Sequence, residues 1–299
     1  MIKILGKIDL PSPERKKNAF EKRSSQEIIE RLDVGMKQSV ERINERIAKH
    51  GYEGAPLISE AGDIDMDAFE GIAYSGGDIE FDREQVIEQK RGFYNTYNPL
   101  VQEKYGTTDE IAIIHAKEKE ERMRDGRISE EVLFVTLAKM LGDRYVPMRS
   151  SEHDDFLHGT DLLLIDTHTG KPICAFDKTV ESAVSRKAQK IERAKKQLLK
   201  GRGMRMKYGV TINREGVKLG ALDNIPPLFL AISKADLDLL KHTSDFDIDG
   251  PITKQERQVM NNLMASVGHD IRVLESSSRG SVSYDAVHDM IASLKERLA

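Results

Sequence analysis

The chain has 299 residues, of which 39% are hydrophobic and 32% are charged, and its formal net charge is −4. This length suffices for one or two domains with a self-sufficient core, and the acidic balance excludes a uniformly basic nucleic-acid-binding protein while allowing a local basic patch. Cys174 is the single cysteine and no run approaches the roughly 18 apolar residues of a membrane span, so we exclude a disulfide framework, CxxC zinc sites and membrane insertion, and expect a reducing, cytoplasmic setting.

The N-terminal region, residues 1–125, is predicted to be mainly helical. Residues 1–23 are polar and basic, which favours an extended arm, and their first stretch, MIKILGKIDLP, is too short and too interrupted by lysine for a signal peptide. A helix is expected to begin after Ser24, because Ser24 and Glu27 have the spacing of a capping box and apolar residues then recur every three or four positions until Gly51. The next predicted elements are a loop at 52–81 and helices at 82–92 and 108–124.

An α/β pattern begins near Gly126 and extends to residue 233. A strongly apolar helix is followed by three short apolar runs, a basic helix and two more apolar runs, which predicts a small mixed sheet with an αβββαβ core. The expected elements are helix ISEEVLFVTLAKMLG, strands RYVPMRS, TDLLLID and KPICAFDK, helix VSRKAQKIERAKKQLLKG, and strands MRMKYGVTIN and PLFLAIS.

The C-terminal region, residues 234–299, returns to helical patterns. The helices are KADLDLLKH, TKQERQVMNNLMASVG and SYDAVHDMIASLKERL, with the short apolar run DIRVLE between the last two. The fold class is therefore α/β or α+β, with a sheet-containing core at 126–233 between two helical regions.

Two aspartates mark the outer ends of the central hairpin. If the turn is centred on Thr169, Asp161 and Asp177 lie opposite each other on one face, about 5 Å apart. Carboxylates this close repel unless a cation binds them, and Mg²⁺ is suited to oxygen ligands. The alternative is that both are solvated residues at strand ends. Lys178 follows directly and could stabilise charge that develops on a substrate oxygen.

Two further features could contribute to a site at this hairpin. Glu130 and Glu131 begin the preceding apolar helix, where acidic residues also favour the first turn for electrostatic reasons alone. Between Arg186 and Lys207, ten of 22 residues are Lys or Arg and only one is acidic, which fits either a solvated helix face or a contact with nucleic-acid phosphates. The candidate phosphate-binding residues are Arg186, Lys187, Lys190, Arg193 and Lys196.

Residues 126–233 resemble the PD-(D/E)XK nuclease superfamily in the order of their elements. Members carry a glutamate on a helix, an aspartate on the second of three strands and a (D/E)-x-K motif on the third. Glu131 has the helix position, since Phe134, Ala138 and Gly142 follow it at +3, +7 and +11, and Glu130 is the fallback. Asp161 in GTD matches the second-strand aspartate, and Lys178 matches the motif lysine.

The resemblance implies a nuclease with a restriction-endonuclease-like core. Asp161, Asp177 and Glu131 would bind Mg²⁺ or Mn²⁺ for phosphodiester hydrolysis, Lys178 would orient the nucleophile or neutralise charge, and the partner would be nucleic acid, with DNA favoured over RNA. One position departs from the motif, because Phe176 occupies the acidic slot and Asp177 is adjacent to the lysine. A catalytically inactive, nucleic-acid-binding relative is therefore the alternative.

A third function class is suggested by DFDIDGPITKQE, which matches an EF-hand calcium loop. Its Ca²⁺ ligands would be Asp245, Asp247, Asp249, the Pro251 carbonyl, Thr253 through water, and Glu256. The alternative is a linker in which Thr253 and Glu256 form a capping box for the next helix. Histidines also lie near the hairpin, at 153, 158 and 168, and His158 could approach a metal or phosphate, although loop histidines are more commonly only solvated.

Overall fold

The structure is a computed structural model that describes residues 23–72, 78–122, 125–180, 184–278, 280 and 282–298. The predicted arm at 1–23 lies almost entirely outside these residues. The described chain has a mixed α/β fold, with a four-stranded sheet, a separate two-stranded sheet and helices on both sides of them in sequence. None of its described helices combines the length and the apolar character needed to cross a lipid bilayer.

The N-terminal region is helical, as predicted. Helix α1, Ser25–Lys49, begins with the expected reciprocal bonds between Ser24 and Glu27, and its apolar stripe packs against the core. The described part of the loop that follows includes a short 3₁₀ turn at Met66–Phe69. Three more helices complete the region, namely α2 (Ile79–Tyr94), α3 (Pro99–Tyr105) and α4 (Glu110–Arg122). Helix α3 was not predicted, although Asn98 caps it and Pro99 occupies its first turn.

The central sheet follows helix α5 (Asp125–Met140) and has the strand order β1-β2-β3-β6. Strands β1 (Tyr145–Arg149), β2 (Leu162–Asp166) and β3 (Lys171–Val180) are antiparallel neighbours. The crossover helix α6 (Val184–Leu198) comes next in sequence, and β6 (Pro227–Ile232) pairs parallel to β3.

A two-stranded hairpin is inserted between α6 and β6. It consists of β4 (Met204–Asn213) and β5 (Gly216–Ile225), which pair only with each other. The strand directly after the crossover helix therefore does not join the main sheet, unlike in the simple αβββαβ order. Strand β5 was not predicted because most of its residues are partly or fully exposed and it lacks a continuous apolar run.

The C-terminal region consists of α7 (Lys234–Thr243), α8 (Lys254–Glu275) and α9 (Asp285–Leu298). The apolar run DIRVLE is the last part of α8 and not a separate element. Helix α8 packs on β6, and α1 packs on α5, so that apolar side chains from all three regions of the chain belong to one hydrophobic cluster.

Candidate functional site

Asp161 lies immediately before β2 and is attached to β3 by two hydrogen bonds. Its backbone N–H donates to the Phe176 carbonyl at 2.9 Å, and its Oδ2 accepts a hydrogen bond from the backbone N–H of Lys178. The outer part of the hairpin pairs Leu162 with Phe176, and continuing this register by one residue sets Asp161 opposite Asp177. The pairing of β2 with β3 shifts register between Leu164 and Ile165, on the turn side of the hairpin, so this shift does not affect the pairing next to Asp161.

The surroundings of Asp161 are strongly acidic. Burial, together with the negative charges of Asp155, Asp177 and Glu130, raises the pKa of Asp161 well above its usual range, and the hydrogen bond from the Lys178 N–H only partly opposes this shift. Burial also raises the pKa of Asp177, against the effect of Lys190 and Lys178. An ionised Asp161 is therefore unfavourable in this environment unless a cation compensates its charge.

Two carboxylate–lysine pairs flank Asp161. The Lys178 ammonium lies 2.7 Å from Glu130 Oε1, on helix α5. The Lys190 ammonium, on α6, lies 2.5 Å from Asp177 Oδ1 and 3.1 Å from the Lys178 carbonyl. Adjacent residues of a regular strand point to opposite faces, and Asp177 and Lys178 accordingly contact different helices. The carboxylates of both pairs, Asp177 and Glu130, contribute to the raised pKa of Asp161.

The helix glutamate that contacts this site is Glu130, the fallback of the sequence-based prediction. Besides Lys178, Glu130 Oε2 lies 3.5 Å from Arg149 Nη2, and Arg149 is itself only 6% exposed in its side chain. Glu131 is buried, with 5% of its surface exposed. Phe176, in the expected acidic slot, is 1% exposed and belongs to the hydrophobic core.

The basic residues of helix α6 lie in different surroundings. Lys187 is directed to helix α8, where its ammonium lies 2.8 Å from the buried Asp270 carboxylate and 2.7 Å from Ser266 Oγ. Lys190 belongs to the Asp161 site, whereas Arg193 and Lys196 are exposed. The side chain of Arg186, the fifth predicted phosphate contact, lies outside the described residues.

The acidic loop after α7 is organised by internal contacts. Glu256 is 1% exposed and forms the capping box with Thr253, and both of its carboxylate oxygens lie 3.1 Å from the ammonium of the buried Lys139. Asp249 pairs with Arg42 of α1, while Asp245 and Asp247 accept hydrogen bonds from the loop backbone. The capping-box alternative for Thr253 and Glu256 is thus confirmed, and calcium binding stays a prediction.

Within the described residues, one group of His, Cys, Asp or Glu side chains brings three potential ligand atoms within 4.8 Å of one another. It consists of His153, Asp154 and His158, in the turn that precedes β2. The carboxylates around Asp161 do not reach this proximity. The sequence-based prediction named His153 and His158 but not Asp154. Asp154 is held in place by backbone N–H groups of β4, some fifty residues further along the chain, and spacing in the sequence does not reveal this contact.

Comparison of the chain with protein-family models, with curated proteins and with solved structures finds no match. The resemblance to PD-(D/E)XK nucleases therefore stays a prediction, supported only by residues within this chain.

Proposed function

We propose that this protein is a metal-dependent nuclease whose site is centred on Asp161. The observation that carries the proposal is the position of the half-buried Asp161 near the carboxylates of Asp155, Asp177 and Glu130, where desolvation and their negative charges raise its pKa well above the usual range. Carboxylates grouped in this way are costly without a compensating charge, and their oxygens are the type of ligand that a hard divalent cation such as Mg²⁺ or Mn²⁺ prefers.

The proposed roles follow from the position of each side chain. Asp161 and Asp177 supply oxygen ligands, with Glu130 as the helix carboxylate in place of Glu131. The bound ion would supply an activated water and stabilise the leaving oxygen of a phosphodiester. Lys178, whose ammonium lies next to Glu130, would neutralise charge on the phosphate.

Nucleic-acid binding is supported separately by helix α6. Lys190 reaches the site itself, and Arg193 and Lys196 are exposed further along the same helix. These cations attract a phosphate backbone through a non-specific term that weakens as salt concentration rises. Lys187 is not expected to contribute, because it pairs with the buried Asp270.

A nucleic-acid-binding protein without cleavage activity is the second candidate. It is favoured by Phe176, which fills the acidic slot of the motif with a core side chain. It is also favoured by the regular strand β3, which directs the side chains of Asp177 and Lys178 to opposite faces of the sheet. The two candidates differ only in chemistry, so cleavage is the quantity that must be measured.

The test incubates the purified chain with linear duplex DNA and with single-stranded RNA, in Mg²⁺ or Mn²⁺ and in EDTA. Cleavage that requires the ion and drops by more than about 100-fold in Asp161→Asn supports the nuclease. Asp223→Asn is the matched control, since Asp223 is an exposed aspartate on β5. Salt-dependent binding with no cleavage favours the second candidate, and the absence of both overturns the two proposals together.

A further inference from the structure

His153, Asp154 and His158 converge at a short π-helical turn, Asp154–His158, which begins directly after His153 and directly precedes the segment carrying Asp161. The Nδ1 atoms of the two imidazoles face one carboxylate oxygen, with Asp154 Oδ1 lying 2.8 Å from His158 Nδ1 and 3.9 Å from His153 Nδ1. The imidazole rings are 5.4 Å apart at an angle of 71°, so they approach the carboxylate from different directions.

These separations fit the coordination sphere of zinc. Neighbouring ligands of a tetrahedral zinc ion, with bonds of about 2.0–2.1 Å, lie roughly 3.3 Å apart, which is between the two observed values. Two imidazole nitrogens with one carboxylate oxygen also favour a transition metal over Mg²⁺ or Ca²⁺, which prefer all-oxygen ligand sets. His158 is 33% exposed in its side chain, so the fourth position is open to water.

The state of His153 distinguishes a metal site from a simple ion pair. A hydrogen bond between His158 and Asp154 would explain the 2.8 Å contact without any metal. It would not explain why Nδ1 of His153 is directed at the same oxygen, is buried, and has no hydrogen-bond partner in the part of the chain that the structure describes. The His153 side chain is only 5% exposed, and a buried polar atom without a partner is unfavourable.

The proposed ligands are themselves held by hydrogen bonds and a neighbouring carboxylate, as the ligands of metal sites commonly are. Asp154 Oδ1 also accepts a hydrogen bond from the Lys207 N–H at 2.7 Å, and its Oδ2 accepts bonds from the Tyr208 N–H and Ser151 Oγ. On the far side of His153, Nε2 lies 3.5 Å from the carboxylate of Asp82 on α2. A carboxylate behind a ligating histidine fixes the imidazole tautomer and strengthens it as a ligand.

We propose that His153, Asp154 and His158 bind one zinc ion, at a site separate from the Asp161 cluster and independent of any nuclease activity. Asp82 orients His153 from α2, and the backbone of β4 holds Asp154. The ion would therefore connect the N-terminal helical region to the turn before β2 and to the β4–β5 hairpin.

The test measures bound metal in the full chain, purified without a polyhistidine tag and dialysed with Zn²⁺ and then against metal-free buffer. We expect one zinc per chain by elemental mass spectrometry, and tetrahedral absorption bands when Co²⁺ replaces it. His158→Gln should lose the metal, whereas His168→Gln, an exposed histidine of the β2–β3 turn, should retain it. Asp82→Asn should weaken zinc affinity about 10- to 100-fold.

Asp161→Asn separates this proposal from the nuclease, because it should abolish cleavage and leave the zinc content unchanged. A wild-type chain that binds no zinc, or an octahedral Co²⁺ spectrum, overturns the proposal even if a histidine variant fails to fold. Full zinc retention in a folded His158→Gln, checked by circular dichroism, overturns it as well.

Discussion

Replacing Glu256 with glutamine removes one charge from an ion pair that is almost completely buried. The side chains of Glu256 and Lys139 are each 1% exposed, and among the described residues the other acidic group that pairs with the Lys139 ammonium is Asp245, at 3.6 Å and about half exposed. Glutamine can still cap α8. The main consequence is therefore a buried ammonium that has lost its partner.

Breaking a buried pair in this way costs about 3–5 kcal/mol. With an unfolding entropy of about 2 cal/mol/K per residue, a chain of this length loses roughly 0.6 kcal/mol for each degree. We therefore expect the thermal midpoint of Glu256→Gln to fall by about 5–8 °C, measured by circular dichroism in EGTA. Excess Ca²⁺ should leave this difference unchanged.

Two further variants test whether the buried Lys139–Glu256 ion pair accounts for the loss of stability. Lys139→Met combined with Glu256→Gln should recover much of the loss, because no unpaired buried charge remains. Asp249→Asn, at an exposed position of the same loop, should change the free energy of unfolding by less than about 1 kcal/mol. A shift below about 2 °C in Glu256→Gln refutes the ion-pair argument. Stabilisation by Ca²⁺ that both Glu256→Gln and Asp249→Asn abolish would instead favour the calcium loop.

Three other predictions concern buried charges and one close contact. Because its folded-state pKa is raised, Asp161 should destabilise the metal-free fold as pH rises from about 4. In EDTA, the thermal midpoint of Asp161→Asn should therefore exceed that of the wild type by an amount that grows with pH. A difference between the two midpoints that stays constant with pH contradicts this prediction. Burial opposes ionisation of Asp154, but the hydrogen bonds from His158 and from the backbone N–H groups of β4 outweigh it and hold its pKa well below the usual range. Its stabilisation is therefore present above pH of about 4 and lost in stronger acid, so the midpoints of wild type and Asp154→Asn should converge as pH falls below that value. Gly35→Ala should cost about 1–3 kcal/mol in chemical denaturation, because the new Cβ would clash with the Phe246 carbonyl oxygen. Gly92→Ala has open space around its new Cβ and should be neutral or stabilising.

Local signals in the sequence accounted for much of the fold. The capping box at Ser24 and Glu27 placed the start of α1, and the symmetric placement of Asp161 and Asp177 about Thr169 agreed with the register of the outer hairpin. Both depend on neighbours in sequence or across one tight turn, so spacing alone carries the information.

The details that decide the chemistry depend on distant contacts. Two adjacent glutamates differ by about 100° around a helix, so only the packing of α5 determines that Glu130 meets Lys178. Likewise, the composition of α6 does not reveal that Lys187 is used to bind Asp270 of α8. A count of basic residues overestimates the charge that is available to a phosphate backbone.

The position of β6 has a consequence for the order of folding. Strands β1, β2 and β3 can pair through short connections, and β4 with β5 closes an equally local hairpin. The parallel partner of Asp177 and Lys178 is contributed only after α6 and the whole hairpin, so this pairing has high contact order and a large loop-closure cost. During synthesis, Asp161 and Asp177 would therefore leave the ribosome well before β6, the strand that pairs with the outer edge of β3.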